Sequence, residues 1–116
     1  MRDFKELKVW KKSHELCLSI YDITKQFPEE ERYGIISQVR RASASVPTNI
    51  SEGCGRDSNK EFARFLRIVG GSVSEVEYLL ILSKDLNYIQ EEQKMALINQ
   101  VISIRKMLYN LIKAII

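Results

Sequence analysis

The stretch Ser58-Asn59-Lys60-Glu61-Phe62-Ala63-Arg64-Phe65-Leu66-Arg67-Ile68-Val69-Gly70-Gly71-Ser72-Val73-Ser74-Glu75-Val76-Glu77-Tyr78-Leu79-Leu80 decides the fold. Its apolar stripe is Phe62, Leu66, Val69, Val73, Val76 and Leu80, in alternating steps of four and three. That is a heptad seam, the face of a helix laid against a neighbour. Ser58 followed by Glu61 reads as an S-x-x-E capping box, and the helix is expected to end near Leu86-Asn87. Gly70-Gly71 interrupts the pattern. Each glycine costs ~1 kcal/mol relative to alanine inside a helix. Close approach of another helix, from this chain or a second copy, would offset that cost.

Three more helical patterns flank this one. The first runs from about Phe4 to Gln26, with Leu7, Trp10, His14, Cys17, Ile20/Tyr21, Thr24 and Phe27 on one face. Asp3 followed by Glu6 fits a capping start, and Phe27-Pro28 ends the helix. The second is expected to start in the acidic run Glu29-Glu30-Glu31, where the macrodipole favours negative charge. Its stripe is Ile35, Val39, Ala42, Val46 and Ile50. Pro47 lies inside that stripe and predicts a continuous helix kinked there, with Ser43 one turn before it near the freed carbonyl. Gly53-Cys54-Gly55 is read as a left-handed glycine cap. The fourth starts near Gln90, with Leu97/Ile98, Val101, Ile104/Arg105, Leu108, Leu111 and Ile115 on one face and Ile102, Ile112 and Ile116 widening it. No segment alternates like a strand. The expected fold is all-α: one domain over residues 1–116, an antiparallel up-down-up-down four-helix bundle with its second helix kinked at Pro47.

A chain of 116 residues has room for one domain. Its 45% hydrophobic and 28% charged residues are ordinary for a globular protein, which argues against disorder. No apolar run approaches the ~20 residues of a membrane span. The start, Met1-Arg2-Asp3-Phe4-Lys5-Glu6, has no apolar signal region, so a cytoplasmic protein without membrane association is expected. Cys17 and Cys54 are then buried structural thiols rather than a disulfide.

Little catalytic chemistry is available. One histidine, His14, lacks the Glu-x-x-His setting of a bundle metal site and reads as a core or boundary residue. Gly53-Cys54-Gly55-Arg56 lacks the spacing of a phosphate loop and follows a helix rather than a strand. No G-x-S-x-G elbow occurs among the serines. A protein without enzymatic activity, metal or cofactor is expected. Arg41, Glu52 and Glu75 fall on or beside apolar stripes and read as a structural polar network, with a ligand site as the alternative.

Basic residues supply the functional signal. The net charge is +3. Arg40-Arg41 opens a run without acids through Ser51, and Arg56, Lys60, Arg64 and Arg67 follow at helical spacing. Arg40, Arg56, Lys60, Arg64 and Arg67 are the candidate nucleic-acid contacts, and Ser43, Ser45, Thr48 and Asn49 could donate to phosphate. Lys5, Lys8, Lys11 and Lys12 form a second cluster. The plain alternative is a solvated face of mixed charge, since Asp57 and Glu61 dilute the stripe.

Several runs resemble a known family. They are Phe4-x-x-Leu7-x-Val9-Trp10, Phe27-Pro28 with Glu31-x-Tyr33-Gly34, and Gln38-Val39-Arg40-Arg41-Ala42-x-x-Ser45-Val46-Pro47-x-Asn49-Ile50-x-Glu52-Gly53. Gly55-Arg56, Phe62-x-x-Phe65-Leu66 and Gly71-Ser72-x-x-Glu75-x-Glu77 continue the match. The chain resembles the bacterial four-helix-bundle proteins named for intervening sequences of 23S rRNA genes, relatives of the accessory variability proteins of diversity-generating retroelements. The resemblance implies a homo-oligomer, a pentamer in form. It also implies an accessory protein that binds RNA or other nucleic acid through basic surface. The alternative it implies is an adaptor or scaffold for a protein such as a reverse transcriptase.

Overall fold

A computed structural model describes residues 2–116. Its four long helices are α1 (Lys8–Ile23), α2 (Ile35–Cys54), α3 (Asn59–Asp85) and α4 (Glu91–Ile115). No strand occurs among the described residues. The bundle measures 43 × 24 × 20 Å. Packing runs α1 on α2, α2 on α3, α3 on α4 and α4 back on α1. The stripes read for α2, α3 and α4 face the shared core: Val39, Val46 and Ile50, then Phe62, Leu66, Val69, Val73, Val76 and Leu80, and Val101, Ile104 and Leu108 are buried. The stripe read for α1 is misplaced: its core face is Val9, Ser13, Leu16 and Ile20, and of the residues read for it His14 and Tyr21 are exposed. No described helix is long and apolar enough to cross a membrane.

The ends of the helices meet as follows. Arg2, ahead of α1, donates its backbone N–H to the Cys54 carbonyl and its guanidinium to Asn59, at the α2–α3 corner. Leu7 and Val9 share a cleft with Met107 and Leu111 of α4. At the other end, Gln26 donates to the Tyr88 carbonyl, and the Tyr88 hydroxyl donates to Glu31 at 2.7 Å. The 24–34 and 86–90 connections are thus tied together.

Helix boundaries depart from the sequence reading where local geometry overrides periodicity. The first pattern is three pieces: 3-10 turns at Phe4–Glu6 and Thr24–Gln26 flank α1. Leu7 is extended and breaks the first join. Asp3 accepts from the Lys5 N–H, capping the short turn rather than the long helix. Thr24 is buried with its hydroxyl on the Ile20 carbonyl. Glu29–Glu31 is a separate 3-10 turn, and α2 begins only after Gly34. Pro47 sits inside the unbroken α2, with its ring buried. The Ser43 hydroxyl donates back to the Arg40 carbonyl rather than serving the proline's missing bond. Gly55 has φ −83, so the expected left-handed cap is not formed. The left-handed residue among those described is Asn87, at φ 65, just past α3. Asparagine tolerates that region better than most side chains.

Two caps show the same interplay. Ser58 accepts from the Glu61 N–H as read, but the Glu61 carboxylate turns to Arg64 instead of closing the box. Gln90 and Gln93 close a reciprocal box at α4. His14 is exposed, not core, and stacks on Trp10 at 5.3 Å. It lies one residue past Ser13, and that step of about 100° around the helix turns it off the buried face that Ser13 and Leu16 occupy.

Candidate nucleic-acid interface

The α2–α3 corner is built by close packing. Gly53 is buried on the last turn of α2, and a β-carbon there would lie 2.9 Å from both Phe62 Cδ1 and Phe65 Cβ. The missing side chain lets the two helices meet over these phenyl rings. The rings in turn hold cations. The Arg56 and Arg64 guanidiniums lie over the Phe65 ring at 4.7 and 4.8 Å, and Arg2 lies over Phe62 at 4.6 Å. A guanidinium placed over an aromatic face keeps its N–H donors in plane, where an anion can reach them. The Arg56 guanidinium makes no hydrogen bond among the described residues, whereas Arg64 donates to Glu61 and Arg2 to Asn59.

The charge balance at this corner is positive. Arg64 pairs with Glu61 at 3.2 Å. The Arg64 hydrogen bond and charge, with help from Arg56 and Lys60, hold the Glu61 carboxyl below its ordinary range. Arg56, Lys60 and Arg67 are exposed and make no ion pair among the described residues. Four of the five basic residues read as nucleic-acid contacts therefore lie along this corner and the start of α3. Arg2 joins them. Sequence spacing gave no sign of it, because its partner Asn59 is 57 residues away.

Arg40 does not belong to this group. It lies thirteen residues before Gly53 on α2, about 20 Å along the axis. Its guanidinium donates to the Thr24 hydroxyl at 2.8 Å and the Tyr21 carbonyl at 3.2 Å, and covers the Tyr21 ring at 4.7 Å. It ties α2 to the end of α1, where unpaired carbonyls favour a cation.

The Arg41, Glu52 and Glu75 network is not assembled. All three are exposed and make no hydrogen bond or ion pair with one another among the described residues. Arg41 and Glu75 face a shallow α2–α3 cleft of about 190 Å³ with Gln38, Ala42 and Ser45. Glu52 is eleven residues further along α2, at the corner. The polar tie between these helices is instead Ser45 to Ser72, hydroxyl to hydroxyl at 2.7 Å, backed by Asn49 donating to the Ser45 carbonyl. Those hydroxyl and amide groups are consumed inside the bundle and are not free phosphate donors. In the second cluster, Lys5 pairs with Asp3 and Lys12 with Glu15, while Lys8 and Lys11 are exposed.

The fold and this corner define a small helical bundle with one cationic end. The family model of the 23S rRNA-intervening sequence protein matches residues 5–110, so the chain belongs to that family. It is similar to a crystal structure from Bacteroides thetaiotaomicron VPI-5482, described as a protein with unknown function from the S23 ribosomal protein family. The two are 30% identical with a TM-score of 0.81, over 90% of this chain and 98% of that one. No curated protein matches the sequence.

Proposed function

We propose that this chain is a non-enzymatic, oligomeric accessory protein that binds RNA or other nucleic acid through its phosphates at the α2–α3 corner. The carrying observation is the pair of guanidiniums, Arg56 and Arg64, seated over Phe65 with Lys60, Arg67 and Arg2 around them. Such a surface reads backbone charge rather than base sequence. The family's description, which names a 23S rRNA intervening sequence, supports RNA as the first ligand to try. Repetition of the +3 chain in an oligomer strengthens the field that draws in a polyanion.

The test is binding of structured RNA and duplex DNA across a salt series, with wild type and a Lys60→Glu/Arg67→Glu variant. Both positions are exposed and unpaired, so helicity and melting should stay unchanged. Affinity should fall, and the log–log salt slope should flatten by about one per lost phosphate contact. Unchanged binding, or no binding of the wild type at low salt, overturns the reading. A second reading, an adaptor for a protein partner such as a polymerase, draws on the exposed apolar residues of α4. A partner retained after nuclease treatment favours it.

A further inference from the structure

The positive charge of the corner continues onto α4. From Gln93 to Ile116 that helix has no acidic side chain, and its second half carries Arg105, Lys106 and Lys113. Arg105 donates to Glu77 of α3 at 2.6 Å, which fixes the register of the two helices. On α3, Arg67, Gly70, Ser74 and Glu77 follow at steps of three, four and three, the spacing of one helix face. On α4, Tyr109 and Lys113 stand four and eight residues after Arg105. The end of α4 lies at the corner end of the bundle, where Leu7 and Val9 meet Met107 and Leu111. Both walks from the Glu77–Arg105 pair therefore lead toward the corner, about 15 Å to Arg67 and about 12 Å to Lys113. The two cations stand at nearly the same level along the α3–α4 groove. Between them a β-carbon on Gly70 would meet nothing within 4 Å, so the groove is open there.

Beside that groove α4 carries an apolar cleft with a polar rim. It measures about 530 Å³ and is formed by Ile102, Arg105, Lys106, Tyr109 and Asn110. The Tyr109 ring is 63% exposed, and Lys113 lies over it at 5.5 Å. Lys106 and Lys113 make no ion pair, and Asn110 no side-chain hydrogen bond, among the described residues. An exposed ring rimmed by unpaired cations fits a flat group with negative charge close by, and a nucleotide is such a group. The corner itself has no ring to offer a base. Phe62 and Phe65 are buried, and the guanidiniums of Arg2, Arg56 and Arg64 cover them.

We propose that Tyr109 is a stacking platform for an unpaired base of the strand whose phosphates the corner holds, with Lys106 and Lys113 on the adjoining phosphates. The inference rests on the nucleic-acid reading given above and narrows its ligand to RNA with a single-stranded segment beside a helix. One stacked base binds weakly alone. Next to a backbone already held, the same contact is intramolecular and adds to the affinity. Bases inside a duplex are closed to Tyr109, so the ring selects an unpaired tail or loop and tolerates any sequence there.

The test compares three RNA probes on the full chain: a blunt hairpin, the same hairpin with a short unpaired tail, and that tail made abasic. The last two carry the same phosphates. Wild type should bind the tailed hairpin about tenfold more tightly than the abasic one. Tyr109→Ala should abolish that preference while blunt-hairpin affinity and melting stay unchanged, and Tyr109→Phe should keep it. A tail bearing 5-iodouracil should cross-link to Tyr109. If Tyr109→Ala keeps the preference, the platform is overturned, and the corner reading stands wherever Lys60→Glu/Arg67→Glu still weakens the blunt hairpin. If wild type binds no probe at low salt, both are overturned. A Tyr109→Ala chain that changes copy number in sedimentation, or loses a nuclease-resistant protein partner with its RNA preference intact, gives this face to a protein contact and overturns the platform.

Discussion

Gly53 and the pair Gly70-Gly71 look alike in sequence and differ in the fold. A β-carbon at 53 would press on Phe62 and Phe65 at 2.9 Å, whereas one at 70 or 71 meets nothing within 4 Å. Overpacking of a tight core contact costs about 1–3 kcal/mol, against ~1 kcal/mol gained in helix propensity. Gly53→Ala should therefore destabilise the chain, by up to about 2 kcal/mol once those effects are set against each other. Gly71→Ala should stabilise it by about 0.5–1 kcal/mol. Urea midpoints of the two variants on opposite sides of wild type would confirm the contrast. Tyr88 gives a second prediction at this scale. Its hydroxyl donates to Glu31, and that bond, with burial and the nearby acidic charge, holds the phenol above its ordinary range. Between the unfolded value, about 10, and the higher folded one, the folded chain holds the extra proton. This contribution is complete below pH ~10 and is lost as pH rises through the folded value. The stability gap between wild type and Tyr88→Phe should therefore shrink in strongly alkaline buffer.

Among the elements, Arg40 shows how a charge can be misread. Sequence displays a cation beside Arg41 and gives no hint that Thr24 and Tyr21 wait for it sixteen and nineteen residues earlier. Arg40→Met removes charged hydrogen bonds that are partly shielded from water, and should cost about 1–2 kcal/mol in a denaturant titration. Nucleic-acid affinity of the same variant should stay at the wild-type value, because the corner is about 20 Å away. The four helices themselves were legible because each apolar pattern spans several turns, and Val39, Val46, Phe62, Val73 and Val101 of the last three all land in the core. On α1 the face was read one residue out, because Trp10, His14 and Tyr21 look as apolar in sequence as Val9 and Leu16. The helix ends were less legible. Leu7 is extended and Gly34 holds an unusual conformation, and periodicity carries no record of either. At the corner, the spacing of Arg56, Lys60, Arg64 and Arg67 was visible, while the phenyl ring beneath two of them was not. Phe65 reads as one more apolar residue until its neighbours are known.

For the molecule as a whole, the helices are not bound together with equal strength. The core of α2 and α3 is dense, with Val46, Ile50, Phe62, Leu66 and Val69 fully buried. The α1–α4 seam is more polar, and a cleft of about 410 Å³ opens there between Lys12, Glu15, Ser19, Asn99, Gln100 and Ser103. Few apolar contacts and solvated polar groups mark the regions that open first. Amide exchange should be slowest in the middle of α2 and α3 and faster along α1 and its facing side of α4. Uniform protection over all four helices would contradict this.

The corner also contains its own chemical timer. Cys54 is 1% exposed beneath the segment that Arg2 anchors, and burial pushes its thiol above the ordinary range. Alkylating reagents attack the thiolate, so the closed corner is almost inert to them. Reaction waits for the end of α2 to fray or for the Arg2 segment to lift. The labelling half-life of Cys54 is therefore a count of how often the cationic end breathes, and any polyanion clamped across it slows the clock.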